Sequence, residues 1–255
     1  MLAGLIGLVI GIIVGLLGAG GGILSIPILV YLLHQEPHAA SAESLVIVGL
    51  TALVSLLGRF REVHWRDGFI FGVLSLVGSF IGSKLNALAS GDLFMYLFAL
   101  LLIVVAVIMV RRGIRDKHAE DTATSSTQAR NPRPLWMVAL AATLTGLLVG
   151  FFGVGGGFAV VPMLVLIMGF SMKDASATSL LVMIISSVAG LVSRIGTDIN
   201  ANWTLVLIFA VASMLGGMIG APASKRFRSS TLTLIFGALL AAVALMTGVE
   251  TLLGQ

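Results

Sequence analysis

The sequence predicts an all-α polytopic membrane protein built from two inverted repeats, each a broken or re-entrant helix hairpin followed by about three transmembrane helices. Three observations carry this prediction: the composition, a duplicated glycine motif, and the placement of the basic residues. The 255-residue chain is 58% hydrophobic and 10% charged, with a mean hydropathy of +1.11. Soluble domains are roughly 45–50% apolar and about 25% charged. The apolar runs are long and uninterrupted, unlike the ~10-residue alternating segments of outer-membrane barrels, so the spans are helical.

The chain has no cysteine, which excludes disulfides, thiolate catalysis and cysteine-ligated metals within it. Its first Lys or Arg is Arg59. The start therefore lacks the basic region of a secretory signal, and Met1 to Leu33 is expected to stay in the mature protein. The net charge of +4 sits in short loops between apolar runs, where basic residues set membrane topology. Nucleic-acid binding is excluded on that placement.

Taken in order, the apolar segments run over residues 2–18, 22–33, 44–58, 68–83 and 93–110, then 135–152, 157–170, 178–193, 203–221 and 231–249. Several fall short of the ~20 residues that cross a bilayer. Between the two sets lies RRGIRDKHAEDTATSSTQARNPRP, residues 111–134, which reads as a flexible linker. The expected organisation is a membrane repeat over 1–110, a cytoplasmic linker over 111–134 and a second repeat over 135–255.

The halves match. At an offset of 135, GLLGAGGGILSIP (15–27) lies on GFFGVGGGFAVVP (150–162), ASAESL (40–45) on ASATSL (175–180), and Arg59 on Arg194. At an offset of 138, Trp65 meets Trp203 and GSFIG (78–82) meets GGMIG (216–220).

Basic residues discriminate between parallel and inverted repeats. If segments 2–18 with 22–33, and 135–152 with 157–170, are hairpins, then Arg59, Arg61, Arg66, the linker's basic residues, Lys173, Lys225, Arg226 and Arg228 share one side. Only Lys84 and Arg194 lie opposite. If each pair is one interrupted crossing, the bias weakens. The hairpin topology puts both termini outside and the linker inside.

The glycines have two jobs. Gly11 with Gly15, and Gly146 with Gly150, are spaced for close helix packing in lipid. The triplets Gly20, Gly21, Gly22 and Gly155, Gly156, Gly157 are different, because three consecutive glycines interrupt a helix and free backbone groups that cost several kcal/mol if bare in hydrocarbon. No lysine follows them as a nucleotide P-loop requires. Each break starts a new helix, near Gly22 and Gly157, whose unpaired N–H groups and positive dipole end suit an anion. Ser41, Ser44, Ser176, Thr178 and Ser179 are expected to begin helices, either as N-caps or as further anion ligands.

Two such glycine-proline signatures, each followed by A-S-A-x-S-L and a glycine-rich helix, resemble the TauE/SafE (TSUP) family of sulfite exporters and related permeases over essentially the whole chain. The resemblance implies transport of a small sulfur oxyanion such as sulfite, thiosulfate, sulfoacetate or another sulfonate. It certifies no individual binding residue.

Arg59 and Arg194 end matching segments and read either as interfacial snorkelling residues or as anion attractors at opposite entrances. Glu43 faces Thr178 in the repeat and reads either as a solvated capping acid or as a proton carrier accompanying the anion. His34 and His38 have helical metal-ligand spacing, but Pro37 interrupts them and no third ligand is evident, so no metal is expected. No cofactor and no catalytic Ser, His and Asp cluster stands out; Asp67, Asp92, Asp116, Asp121, Asp174 and Asp198 fall in expected loops. The sequence thus reads as a secondary transporter in a cytoplasmic membrane, its anion held near the midplane by both glycine breaks, with an anion channel and a carboxylate permease as the alternatives. Its partners are the small anion, a coupled proton or cation, and the bilayer.

Overall fold

The computed structural model describes residues 2–18, 21–32, 35–86, 91–121, 134–152, 157–193 and 203–253. These residues form ten α-helices and no strand: α1 (Leu2–Leu17), α2 (Gly21–Pro27), α3 (Pro37–Arg59), α4 (Trp65–Asn86), α5 (Gly91–Asp121), α6 (Leu135–Phe152), α7 (Gly157–Leu166), α8 (Met172–Val192), α9 (Trp203–Ala223) and α10 (Ser229–Leu253). Six of them, α3, α4, α5, α8, α9 and α10, are long and apolar enough to cross a membrane.

Local chemistry places the boundaries. α1 stops at Gly18, whose φ of +65° is a left-handed turn open to glycine. α2 carries Pro27, and the chain continues as a π-helical turn, Ile28–Leu32, the usual relief where a proline removes a ladder hydrogen bond. α7 ends before Gly169, φ +68°. α3 opens on Pro37 after Glu36, and α8 on Ser171, whose Oγ accepts from the Asp174 N–H at 3.1 Å.

Two sequence expectations change here. Ser41, Ser44, Ser176, Thr178 and Ser179 do not begin helices; they lie a turn or more inside α3 and α8, because Pro37 and Ser171 start those helices earlier. The linker, expected as loop from 111, is helical to Asp121. The segment is rich in helix formers, and Arg112 and Asp116 pair at 3.6 Å with i,i+4 spacing.

Contacts between elements recur in corresponding pairs. α1 packs on α9 as α6 packs on α4, α3 on α9 as α8 on α4, and α2 on α3 as α7 on α8, while α3 meets α8 and α5 meets α10. Glycine makes the first pair possible. A Cβ on Gly7 would meet Phe209, on Gly11 Ser213, and on Gly15 Gly217 and Ala221; on Gly78 it would meet Thr143, and on Gly82 Leu147. The packing expected of Gly11, Gly15, Gly146 and Gly150 is therefore made, and GGMIG and GSFIG supply the facing surface.

The register also gives direction. Gly7, Gly11 and Gly15 advance along α9 together with Phe209, Ser213 and Gly217, so α1 and α9 run the same way, as do α6 and α4. In contrast, Leu45, Gly49 and Arg59 of α3 face Gly190, Ser187 and Ser176 of α8. Those two helices run in opposite directions, as do α5 and α10, where Gly113 faces Leu234 and Gly237 faces Val110. The central pair is the most enclosed: 67% and 61% of the α3 and α8 spans are buried, against 33–44% for the other four. Their outward faces carry residues such as Leu57, Val77, Leu207 and Leu245, exposed apolar side chains suited to lipid.

Candidate functional site

The antiparallel α3–α8 pair has two ends, one at Arg59 and Ser176, the other at Ser41 and Ser193. The eighteen helical steps from Ser41 to Arg59 rise about 27 Å, close to the ~30 Å hydrocarbon thickness of a bilayer. At each end, the helix that precedes a glycine triplet stops beside the serine segment of the other half. At the first end, α1 terminates against α8: the Ser179 hydroxyl donates to the Gly18 carbonyl at 2.7 Å, and a Cβ on Gly18 would meet the Ser176 backbone. At the second end α6 terminates against α3, where the Ser41 hydroxyl donates to the Phe152 carbonyl at 3.4 Å and Asn86 Nδ2 donates to the Phe151 carbonyl at 2.7 Å.

The serine segments that receive these two helix ends sit at opposite ends of the antiparallel pair. α2 and α7 do touch each other between those ends.

Gly21 and Gly22 open α2, and Gly157 opens α7. Gly20, Gly155, Gly156 and Arg194 lie outside the described residues, as does His34. The remaining hydroxyls are fully buried and locally engaged. Ser44 donates to the Ser41 carbonyl at 2.9 Å, Ser176 to Lys173 O at 2.9 Å and Ser179 to Ser176 O at 2.8 Å. Thr178 Oγ1 accepts from the His64 N–H at 3.2 Å and so holds the start of α4. Glu43, 2% exposed, is buried in α3 and not solvated as a surface cap would be.

Arg59 does not snorkel. Its side chain is fully enclosed, with Nε donating to Glu62 Oε2 at 2.9 Å, Nη1 to Ser176 Oγ at 2.8 Å and Nη2 to the Lys173 carbonyl at 2.9 Å. The positive head thus reaches from the C-terminal turn of α3, which favours it, into the N-terminal turns of α8, which oppose it. Glu62 balances that charge and in turn faces Lys225 Nζ at 3.6 Å. Lys173 Nζ donates to Lys225 O at 3.4 Å, and His64 Nε2 stands 3.8 Å from Asp174 Oδ1. This clasp ties the first half (Arg59, Glu62, His64) to the second (Lys173, Asp174, Ser176, Lys225). The i,i+3 spacing of Arg59 and Glu62 is the one sequence signal of this clasp; the repeat comparison with Arg194 does not reveal it.

No group of three or more His, Asp or Glu able to hold a metal occurs among the described residues. What the arrangement offers is two helix ends, at Gly18 and Phe152, whose carbonyls each accept from a serine hydroxyl of the opposite half, each followed in the chain by a new helix start.

Comparison with known proteins places the chain among membrane transporters. The family model for the sulfite exporter TauE/SafE matches residues 3–247. A probable membrane transporter protein of Xylella fastidiosa is 33% identical over 243 residues, covering 92% of this chain and 90% of its own. The probable membrane transporter protein YunE of Bacillus subtilis is 30% identical over 247 residues, 90% of each chain. One from Methanocaldococcus jannaschii is 26% identical over 258 residues, 94% of this chain and 92% of its own. No solved structure matches.

Proposed function

The chain belongs to the sulfite exporter TauE/SafE family, and from that premise we propose that it is a secondary permease carrying a small sulfur-containing oxyanion across the cytoplasmic membrane by alternating access. Sulfite, thiosulfate, sulfoacetate and other sulfonates are the candidate substrates. The observation that carries the reading is the exchange of partners at the glycine breaks, Ser179 on Gly18 and Ser41 on Phe152.

A helix break presents an anion with both an attractive N–H end and a repulsive carbonyl end. The serine hydroxyls mask the carbonyls of α1 and α6, leaving the N–H groups that open α2 and α7 as the net local field. The anion is thus held in two stations in turn, at Gly20, Gly21 and Gly22 with Ser176, Thr178 and Ser179, and at Gly155, Gly156 and Gly157 with Ser41 and Ser44. At the first station the anion takes over the Arg59 guanidinium from Glu62, which loosens the clasp and opens that end; Arg194 serves the second entrance. Glu43, buried two residues from Ser41, carries the coupled proton.

The opposite directions of α3 and α8, and of α5 and α10, support inverted halves, in which α1 and α2 form a hairpin. With the basic loops inside, the Arg59 end and the 111–134 linker face the cytoplasm and both termini face outward.

A proteoliposome screen over sulfite, thiosulfate, sulfoacetate, taurine, sulfate and simple carboxylates tests the function. Saturable uptake of a sulfur oxyanion is expected. Flux linear in concentration would make the protein a channel, a preference for carboxylates would move the substrate class, and chemical conversion of the anion would make it an enzyme.

A further inference from the structure

The Arg59 guanidinium is engaged on every edge, yet only one of its partners is built to leave. Nη1 donates to Ser176 Oγ at 2.8 Å and Nη2 to the Lys173 carbonyl at 2.9 Å. Both partners belong to the first turns of α8, Ser176 as a fully buried side chain and Lys173 through its backbone. The remaining edge, Nε with Nη2, converges on a single oxygen of Glu62, with Oε2 at 2.9 Å from each nitrogen. The other oxygen, Oε1, lies 3.6 Å from Lys225 Nζ. Glu62 sits in the short 3-10 turn Phe60–Glu62 that joins α3 to α4. Its side chain is 26% exposed, against 0% for Arg59 and 59% for Lys225. Exposure therefore falls inward along the row Lys225, Glu62, Arg59.

A carboxylate gripped by two guanidinium nitrogens and an ammonium is held as a free oxyanion would be. We propose that Glu62 is a built-in competitor: its carboxylate fills an oxyanion site formed by Nε and Nη2 of Arg59 with Nζ of Lys225, and the site takes a small anion carrying two or more oxygens on one atom, such as sulfite or a sulfonate. Its role in transport rests on the permease reading above.

Lys225, the most exposed member, meets the anion first. As one oxygen of the anion reaches the Arg59 fork, Glu62 turns out to water from its place on the turn. Ser176 and the Lys173 carbonyl keep the guanidinium seated meanwhile. Anion replaces anion, so the buried Arg59 is never left uncompensated, a state that buried charges do not tolerate. A halide is a single point of charge and lacks the second oxygen that spans from the fork to Lys225. The other carboxylate of the clasp, Asp174, faces His64 and is 42% exposed, and Lys173 Nζ is turned to the Lys225 carbonyl, so the exchange leaves both contacts in place.

The test is chemical rescue. Glu62→Ala removes the competing carboxylate and leaves its space. The thermal midpoint of the full-length protein in detergent is expected to fall, then to rise in a saturable way with methanesulfonate or sulfite and not with chloride at the same ionic strength. The apparent affinity for methanesulfonate is expected to be about tenfold tighter than in the unsubstituted protein, where Glu62 leaves only a fraction of the sites open. Adding Lys225→Ala is expected to weaken that affinity severalfold; an unchanged affinity removes Lys225 from the site. Glu62→Gln, which keeps the volume and loses the charge, gives the same readout if Glu62→Ala does not fold. A midpoint that ignores both oxyanions, or that chloride raises equally, overturns the site and leaves the permease reading standing if the unsubstituted protein takes up its anion. Rescue by the oxyanions without uptake of any anion by the unsubstituted protein supports the site and overturns the permease reading.

Discussion

The two ends of the α3–α8 pair come from corresponding segments, yet one is locked by charge and the other lined by hydroxyls. At the Arg59 end, a buried guanidinium bridges α3 to α8 and is balanced by Glu62. At the Ser193 end, Ala39 and His38 stand where Asp174 and Lys173 stand at the first, and Ser79, Ser83 and Ser186 line the seam between α4 and α8. A duplicated chain need not duplicate its side chains: Thr51, Ser55 and Gly217 at one end correspond to Ser186, Gly190 and Ser79 at the other.

The largest expected effect comes from removing the counter-charge. Glu62→Gln strands Arg59 in a buried site and is expected to cost about 3 kcal/mol of stability, seen as a lower thermal midpoint in detergent. At the other end, Ser83→Ala removes only the 3.4 Å contact with Ser193 Oγ and is expected to cost about 1 kcal/mol or less. Equal losses at the two positions would break the comparison.

Next in size is the seam itself. Gly217→Ser sets a side chain against Ser55 Oγ and is expected to cost about 1–3 kcal/mol by overpacking. The mirror change, Ser79→Gly, is expected to leave the thermal midpoint near that of the unsubstituted protein.

The capping serines give a finer contrast. Ser179→Ala removes a 2.7 Å bond to Gly18 O and is expected to cost roughly 1–3 kcal/mol, whereas Ser41→Ala removes a 3.4 Å bond and is expected to cost about 1 kcal/mol or less. Both are read by thermal denaturation, with uptake measured on the surviving protein. The smallest effect on stability is expected from Glu43→Gln, which keeps a side chain of the same size. It should preserve downhill uptake and abolish accumulation driven by a proton gradient. Accumulation that persists would remove Glu43 from the coupling.

Much of the fold was legible in one dimension, because in a membrane chain length, hydropathy and glycine carry most of the constraint. The helix starts at Gly21 and Gly157 follow from the triplets, and the α1–α9 and α4–α6 contacts follow from glycines four apart. Which serine segment receives the end of α1 and which the end of α6 was not legible. It depends on which residues of α3 face which of α8, and that register is set by long-range packing such as Gly49 on Ser187 and Leu45 on Gly190. The clasp escaped for a related reason: Lys173 is distant in sequence from Arg59, and Lys225 from Glu62, and they meet only through long-range packing of the two halves.

The central claim is that the two ends open in alternation around a bound oxyanion. It is tested most directly by thiosulfonate labelling of Ser55→Cys and Ser186→Cys, in separate reconstituted proteins, with and without a transported sulfonate that does not itself consume the reagent. The account predicts opposite responses, with the anion raising the reaction rate at Ser55 while lowering it at Ser186. Rates that rise or fall together at both ends would contradict it.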